Sequence, residues 1–362
     1  MTIKDIARLS GCGVATVSRV LNQHPDVSDE TRRRVLAVVE EQGFTPNNNA
    51  KRLKQQAGTS ILVVVKGRQN MLFAGLVERL QQLLRENGRD TSVHYLDEDG
   101  DEISYAARLC RERKPLGIFF LGGDLELFRQ GFGAIGVPCV LLTNTARELG
   151  FPNLSSVTTD DGAAAEEVIH LLAGRGHRHI GVLGGNWSCT QISWRRLLGC
   201  QRAMDRLGLP FDEERQCEPS RYSMDAAYEA TRRLLDRCPE LTAIFAMSDV
   251  MAMGVLRALR DLGKRVPEEI SVVGFDGIPM ADYLVPRLAT VRQDTQQLAR
   301  RGVELMLRDI QRKGTPVHDV VPFALMPGET VAHLDGAPPL SGPARLLRSL
   351  TEAKNDSGCL GT

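Results

Sequence analysis

Along the first 45 residues apolar positions recur every three or four residues, the mark of short amphipathic helices. In "IKDIARLS" they are Ile3, Ile6, Ala7 and Leu9, and Gly11 supplies a stop. "VATVSRVL" turns Val17, Val20 and Leu21 to one inner side. A third helix is expected from a Ser28 cap through "DETRRRVLAVVEEQ", with Val35, Leu36, Val38 and Val39 as its buried stripe and Gly43 at its end. Beyond it, "FTPNNNAKRLKQQAGTS" breaks at Pro46, and Asn47 can cap about two turns before Gly58. So short a helix is marginal in water without a partner, and the alternative reading of the stretch is a flexible linker.

From Ser60 the period changes. "SILVVV", "TSVHYL", "LGIFFL" and "VPCVLL" alternate with longer helical patterns such as "LFAGLVERLQQLLREN" and "EISYAARLCRERK". After about Ser155 a second series sets "HIGVLGG", "LTAIFAM" and "ISVVGFDG" between the helical patterns "DDGAAAEEVIHLLAGRG", "ISWRRLLGCQRAMDRLG", "MDAAYEATRRLLDRC" and "DVMAMGVLRALRDLG". Such alternation indicates parallel sheets covered on both faces, and two series indicate two lobes. The uninterrupted apolar runs suit strands buried on both sides. From about Asp335 the chain is rich in Pro, Gly and Ser, and a mobile or loosely docked tail is expected.

A chain of 362 residues exceeds one ordinary core, in keeping with two or three domains. Lys plus Arg and Asp plus Glu both number 45, so the whole chain has no charge bias, but residues 1–57 hold nine cations against six acids. The eight cysteines are scattered without a C-x-x-C pair, which favours reduced structural thiols. The start of the chain lacks an apolar signal core, and no run approaches the roughly 18 apolar residues of a membrane span. A cytoplasmic protein with no membrane partner is expected.

A helix, the turn "GCG" and a second short helix fit the helix-turn-helix of DNA readers, although the spacing alone fits plain three-helix packing equally well. The polar face of the second helix decides between them. Arg19 can bond bidentately to guanine, Thr16, Ser18 and Asn22 can reach phosphates or base edges, and Val14 with Ala15 can meet thymine methyls. Signals for other chemistry fail. "DEDGDE" (Asp97 to Glu102) lacks the Gly and the closing Glu of a calcium loop and reads as a solvated acidic turn. "LGKR" lacks the Ser/Thr of a phosphate loop, the Gly pairs after strands lack G-x-G-x-x-G spacing, and there is no G-x-S-x-G or H-E-x-x-H. No metal, no cofactor and no enzymatic activity are therefore expected. A transport solute-binding protein would share the two lobes, but it needs a secretion signal and leaves the helical segment unexplained.

"TIKDIARLSGCGVATVSRVLNQHPDVSDETRRRVLAVVEEQGFTPNNNAKRL" resembles the headpiece and hinge of the lactose/galactose-repressor (LacI/GalR) family of bacterial transcription factors. "RLLGCQRAM" and "LTAIFAMSDVMAMGVLRALRDLGKRVPEEISVVGFDGIPMADYLVPRLATVRQD" are similar to its effector-binding core, so the resemblance covers about residues 2–333. It implies an all-α helix-turn-helix headpiece (1–46), a hinge helix or linker (47–58) and a core of two doubly wound parallel-sheet lobes, type I periplasmic-binding-protein-like (59–333). Within the core the N-lobe takes about 59–159 and 292–320, the C-lobe about 160–291 and 321–333, with the tail at 334–362. The implied partners are a near-palindromic double-stranded DNA operator, a second copy of the chain and a small effector. The implied function is a repressor controlled by a sugar or sugar derivative; the alternative is a corepressor-dependent regulator responding to a purine or a phosphorylated metabolite.

Carried over by position, the resemblance makes Val14 and Ala15 the base-discriminating pair and Arg19 a further base reader. Thr2, Thr16, Ser18, Asn22, Ser28 and Thr31 fall at phosphate contacts, Asn47 at a hinge contact, and Leu53 at the leucine that wedges into the minor groove. "GCG" departs from the family's usual Gly-Val-Ser, so Gly13 lacks a side-chain cap. In the core, Asn70 and Phe73 lie where the family lines its cleft, Arg196 matches its effector-binding arginine and Asp276 a ligand acceptor at a strand's C-terminal end. Ser248 stands where the family often has Asn, and Gln293 at a crossover contact. Trp187 reads as a stacking face for a sugar or as a core ring, and Asp160 as a ligand contact or a helix cap.

Overall fold

The computed structural model describes residues 2–21, 26–44, 60–185, 192–311 and 314–334. It divides into two units, Met1–Gly58 and Thr59–Thr362.

The first unit holds α1 (Ile3–Ser10), α2 (Val14–Leu21) and α3 (Asp29–Glu41). Their shared core is Ile6, Ala7, Val17, Val20, Val27 and Val35. Gly11 ends α1 at φ +63°, a left-handed conformation that costs glycine little, and the Cys12 amide bonds back to Ala7. Ser28 caps α3 by accepting from the Thr31 amide at 3.4 Å. Leu36, expected in the buried stripe, is instead 45% exposed. Val35, Val38 and Val39 share the inner face at i, i+3 and i+4, and the residue after Val35 is rotated about 100° away from it.

The second unit contains two six-stranded sheets. The first has the order β11 (His318–Val321), β5 (Leu154–Thr159), β4 (Cys139–Leu142), β3 (Gly117–Leu121), β1 (Ser60–Lys66) and β2 (Asp90–Leu96). The second has β12 (Phe323–Met326), β10 (Ala289–Gln293), β9 (Ser271–Asp276), β8 (Ala243–Ala246), β6 (Ile180–Gly184) and β7 (Cys217–Pro219). Every pairing is parallel except β12 against β10. Helices α4 (Met71–Glu86), α5 (Glu102–Arg113), α6 (Leu125–Gly131) and α12 (Thr295–Gln311) belong to the first sheet's lobe. Helices α7 (Asp161–Gly174), α8 (Ile192–Leu207), α9 (Glu213–Gln216), α10 (Met224–Arg237) and α11 (Asp249–Asp261) belong to the second's. The chain passes between the sheets after Thr159, after Gln293 and between Val321 and Phe323. This is the expected headpiece and pair of doubly wound α/β lobes.

Several elements escape the hydrophobic pattern. β5, "LSSVTT", is wholly buried although four of its six residues are Ser or Thr; Ser156 Oγ accepts from the Ala146 amide and meets His318 Nδ1, and Ser155 Oγ donates to Asp309. The alternating pattern also leaves β7, β10, β11, β12 and α12 unmarked.

Helices α7 and α8 pack closely because Gly199 presents no side chain. A Cβ there would lie 2.3 Å from the Gly162 carbonyl oxygen and 3.0 Å from Ala165 Cβ. Gly199→Ala is accordingly expected to force the helices apart at a cost of about 1–3 kcal/mol. A lowered thermal midpoint measures it, and an unchanged one would mean that the helix pair yields freely.

Candidate DNA-reading helix and interlobe cleft

In α2 the buried Val17 and Val20 leave the opposite face open, where Val14, Ala15 and Arg19 are exposed and Thr16 and Ser18 half-buried. The positions 14, 15, 18 and 19 form one continuous helical face. Arg19 makes no ion pair among the described residues. Thr2 precedes α1, where its amide and hydroxyl donate to Asp5 Oδ2 at 2.9 and 2.8 Å. The first of these bonds is the chief cause that holds the Asp5 carboxyl below its usual range. Exposed Ser28 and half-buried Thr31 are joined through their hydroxyls at 2.9 Å. Asn22, Asn47 and Leu53 lie outside the described residues.

Gly13 has no left-handed φ, and a Cβ on it would meet only Thr16 Oγ1 at 3.8 Å. Gly13→Ser is expected to fit and to add a cap to α2, raising headpiece stability by a few tenths of a kcal/mol in a denaturation curve. A loss of stability there would mean the turn needs glycine.

Between the lobes lies a cleft open to solvent. Five of the sequence-predicted residues line it: Asn70 and Phe73 from one lobe, Arg196, Asp276 and Gln293 from the other. Asn70 is also the cap of α4, accepting from the Leu72 amide at 3.1 Å. Ser248 does not line the cleft; it is buried and caps α11 through the Met251 amide at 3.1 Å. Asp160 caps α7 through the Ala163 amide at 3.0 Å and borders a neighbouring depression with Arg195 and Arg202. Trp187 lies outside the described residues.

The two sheets present equivalent strand ends to the cleft. β4 and β9 are each third in their sheet, and just beyond β4 and at the end of β9 stand non-glycine residues with positive φ, Thr143 (+69°) and Asp276 (+117°). Such backbone strain gathers at ligand sites, where the surrounding fold holds it.

Arg196 is almost fully buried. Its Nε donates to Asp161 Oδ1 at 2.8 Å, its Nη1 donates to the Met247 carbonyl, and its guanidinium lies 3.6 Å from the Phe275 ring centroid. Burial pushes the Asp161 carboxyl up more than the Arg196 charge pulls it down. Asp276 accepts from Gln293 Nε2 at 2.8 Å, and Gln293 Oε1 accepts from Thr159 Oγ1 at 3.0 Å. Of the strands at which the chain crosses between lobes, β10 is thus tied directly to the cleft carboxylate and β5 is tied to it through Gln293. Burial pushes Asp276 up to about 7 despite the nearby Arg196. Behind it Asp249 accepts from Thr290 Oγ1 and from the Ile278 amide, and burial, reinforced by Asp276, pushes its carboxyl well up.

The hydrophobic pattern and motif search missed Lys66, Glu98, Thr143, Asn144 and Tyr222, which also line the cleft. The rule that open α/β sheets bind ligands at strand C-terminal ends would have found Lys66, Thr143 and Asn144, since they end or follow β1 and β4. Lys66 Nζ lies 2.6 Å from Glu102, which also accepts from the Asp124 amide at 2.7 Å. Both described cations of the cleft wall are therefore already neutralised, Lys66 by Glu102 and Arg196 by Asp161.

No group of three or more His, Cys, Asp or Glu side chains is placed to hold a metal among the described residues. No described helix is long and apolar enough to cross a membrane. Six cysteines among the described residues are free thiols.

Residues 2–47 match the family model for bacterial regulatory proteins of the lacI family, and residues 144–331 that for a periplasmic binding protein-like domain. The chain is 36% identical over 329 residues to the HTH-type transcriptional regulator MalR of Clostridium butyricum, covering 90% of this chain and 98% of that protein. A complex of the transcriptional regulator CelR with cellobiose superposes with a TM-score of 0.67 at 29% identity, over 91% of this chain and 99% of that one. A LacI family regulator from Enterococcus faecium with bound ribose gives 0.66 at 26% identity, over 76% and 99%.

Proposed function

Because the chain belongs to the lacI family of bacterial regulatory proteins, we infer that it is a sequence-specific transcriptional regulator, a repressor whose operator binding responds to a small effector held between its lobes. The observation that carries this reading is the pairing, in one chain, of an exposed α2 face built from Val14, Ala15 and Arg19 with a cleft lined by buried Arg196 and by buried Asp276, the latter linked through Gln293 to Thr159 of the other lobe. It works by binding, without a catalytic step, in the cytoplasm where the operator is. Enrichment of one near-palindromic sequence from random duplexes by the full chain at moderate salt tests it; a library that stays random overturns it.

The assigned segments are a headpiece over 1–46, a hinge over 47–58 and two lobes exchanging chain near 159, 292 and 321. The division into lobes is supported by the passages of the chain between the sheets after Thr159, after Gln293 and beyond Val321. Val14, Ala15 and Arg19 read bases, while Thr2, Thr16, Ser18, Ser28 and Thr31 lie at the phosphates. Two headpieces on a symmetric operator call for a homodimer, and the exposed apolar Tyr283 and Val285 suit burial against a second copy.

The effector is a sugar or sugar derivative. CelR and the Enterococcus regulator hold cellobiose and ribose, and the cleft here offers amides, hydroxyls and carboxylates for hydroxyl groups. With both described wall cations paired, a phosphorylated metabolite finds no free positive charge there. The effector acts by shifting the population of lobe arrangements; a nearly complete swing requires it to favour one state by about 5.5 kcal/mol.

Arg19→Ala is expected to weaken operator binding by about 1–3 kcal/mol and to relax selectivity at one base pair. Binding measured across a panel of single-base operator variants distinguishes this from a phosphate contact, whose loss would be uniform.

A further inference from the structure

The loop between β2 and α5 carries Asp97, Glu98 and Asp99, and Arg221, from the loop after β7, reaches all three across the mouth of the cleft. Its Nη2 meets Asp97 Oδ1, its Nη1 lies 2.9 Å from Asp99 Oδ2 and its Nε 3.7 Å from Glu98 Oε2. The Tyr222 amide donates to the same Glu98 oxygen at 3.1 Å. β2 and β7 hold the same outermost place in the two sheets, so lobe meets lobe at matching edges. The acidic turn that the sequence presents as merely solvated is one half of a clasp.

Glu98 differs from its neighbours. Asp97 and Asp99 keep 64% and 80% of their side chains exposed, Glu98 only 29%, and Glu98 alone of the three lines the cleft together with Tyr222. The described hydrogen bonds to its carboxylate use Oε2. Oε1 takes none among the described residues, and an ionised carboxylate oxygen is a strong acceptor for hydroxyl groups. One guanidinium among three carboxylates leaves this corner of the cleft negative, which suits a neutral polyhydroxyl ligand and repels an anionic one.

We propose that Glu98 contacts the effector and that Arg221 fixes it there, so that cleft closure and ligand recognition share one carboxylate. This rests on the reading of the cleft as an effector site. Arg221 acts as a positioning residue: it holds Glu98 and the lobe edge without itself belonging to the cleft lining. Because the clasp is half-exposed, salt screens it, and closure weakens as ionic strength rises.

The test uses the full chain with Glu98→Gln, Arg221→Glu and the conservative Arg221→Lys. In the ligand-free protein, hydrogen exchange over residues 96–100 and 220–223 is expected to be faster in Arg221→Glu, and near wild type in Arg221→Lys at low salt. The wild type is expected to approach the Arg221→Glu rates at high salt. Calorimetric titration with cellobiose, maltose and ribose is expected to show at least tenfold weaker binding by Glu98→Gln for whichever sugar the wild type binds, with partial recovery in Arg221→Lys relative to Arg221→Glu. Exchange that is the same in Arg221→Glu and wild type overturns the clasp, and unchanged sugar affinity in Glu98→Gln overturns the contact. A wild-type chain that binds no sugar in a wider neutral panel overturns the sugar reading and with it the Glu98 contact, while the exchange rates still decide the clasp on their own.

Discussion

Arg196→Ala is expected to lower the melting temperature of the ligand-free chain by on the order of 10 °C, corresponding to about 3–5 kcal/mol, and to abolish the response to effector. The cause lies less in the lost contacts of the arginine than in what it leaves behind. Asp161, 3% exposed at its side chain, loses the cation bonded to it, and the Met247 carbonyl loses a donor in the same dry space. Removing one member of a buried pair strands the other charge, which is why the cost exceeds that of replacing both. Adding Asp161→Asn to the alanine variant is therefore expected to recover much of the lost stability without recovering effector binding. That pair of measurements separates the two roles of Arg196, structural partner and ligand contact. If the single variant melts within about 2 °C of wild type, the ion pair does not organise the lobe.

The second large effect concerns Asp276 and pH. Burial raises its carboxyl from 3.8 to about 7, so between about pH 4 and 7 the native state keeps a proton that the unfolded chain has released. Stability consequently falls as pH rises through this window and levels off above it, by about 4 kcal/mol in all. Asp276→Asn never ionises, keeps an oxygen for the Gln293 amide to bond, and leaves the size of the side chain unchanged. The variant is expected to be more stable than wild type at pH 8, by up to about 4 kcal/mol, and equal to it near pH 4. Asp161 and Asp249 are also raised and slope the same way, so the difference between variant and wild type, rather than either curve alone, is the readout. Parallel curves from pH 4 to 8 would mean that Asp276 titrates as an ordinary carboxylate. A stabilising replacement at a ligand-facing position is the usual sign that a residue is kept for binding at some expense to the fold.

The headpiece is legible in the sequence because its signals are local: a 3.6-residue apolar period, glycine stops and a serine cap all act within a few positions. Strands such as β1 and β3 are legible because burial on both faces makes them continuous apolar runs. β5 is not, since its Ser155 and Ser156 are buried by bonding to Asp309, His318 and the Ala146 amide, partners more than a hundred positions away in two of three cases. The cleft follows the same division. Arg196 and Asp276 stand out by family position, yet the sequence gives no hint that Arg196 is already committed to Asp161, 35 positions earlier. Asp97 to Asp99 read as a solvated turn because their cation, Arg221, lies 124 positions beyond Asp97 and joins them only when the lobes meet. Asp160 and Ser248 are polar residues at helix starts, where capping and ligand contact look alike until the amide they bond is seen.

The three passages of the chain between the lobes also set an order of assembly during synthesis. The lobe that begins to emerge first, with β1 to β5 complete by Thr159, lacks α12 and its edge strand β11 until residue 321 has been made. Meanwhile five of the six strands of the second sheet, β6 to β10, leave the ribosome between residues 180 and 293. The first lobe translated is thus the first begun and nearly the last finished, closing only once the second stands beside it. Folding of the two lobes is tied together from synthesis onward, in contrast to the unit-by-unit folding of domains strung end to end.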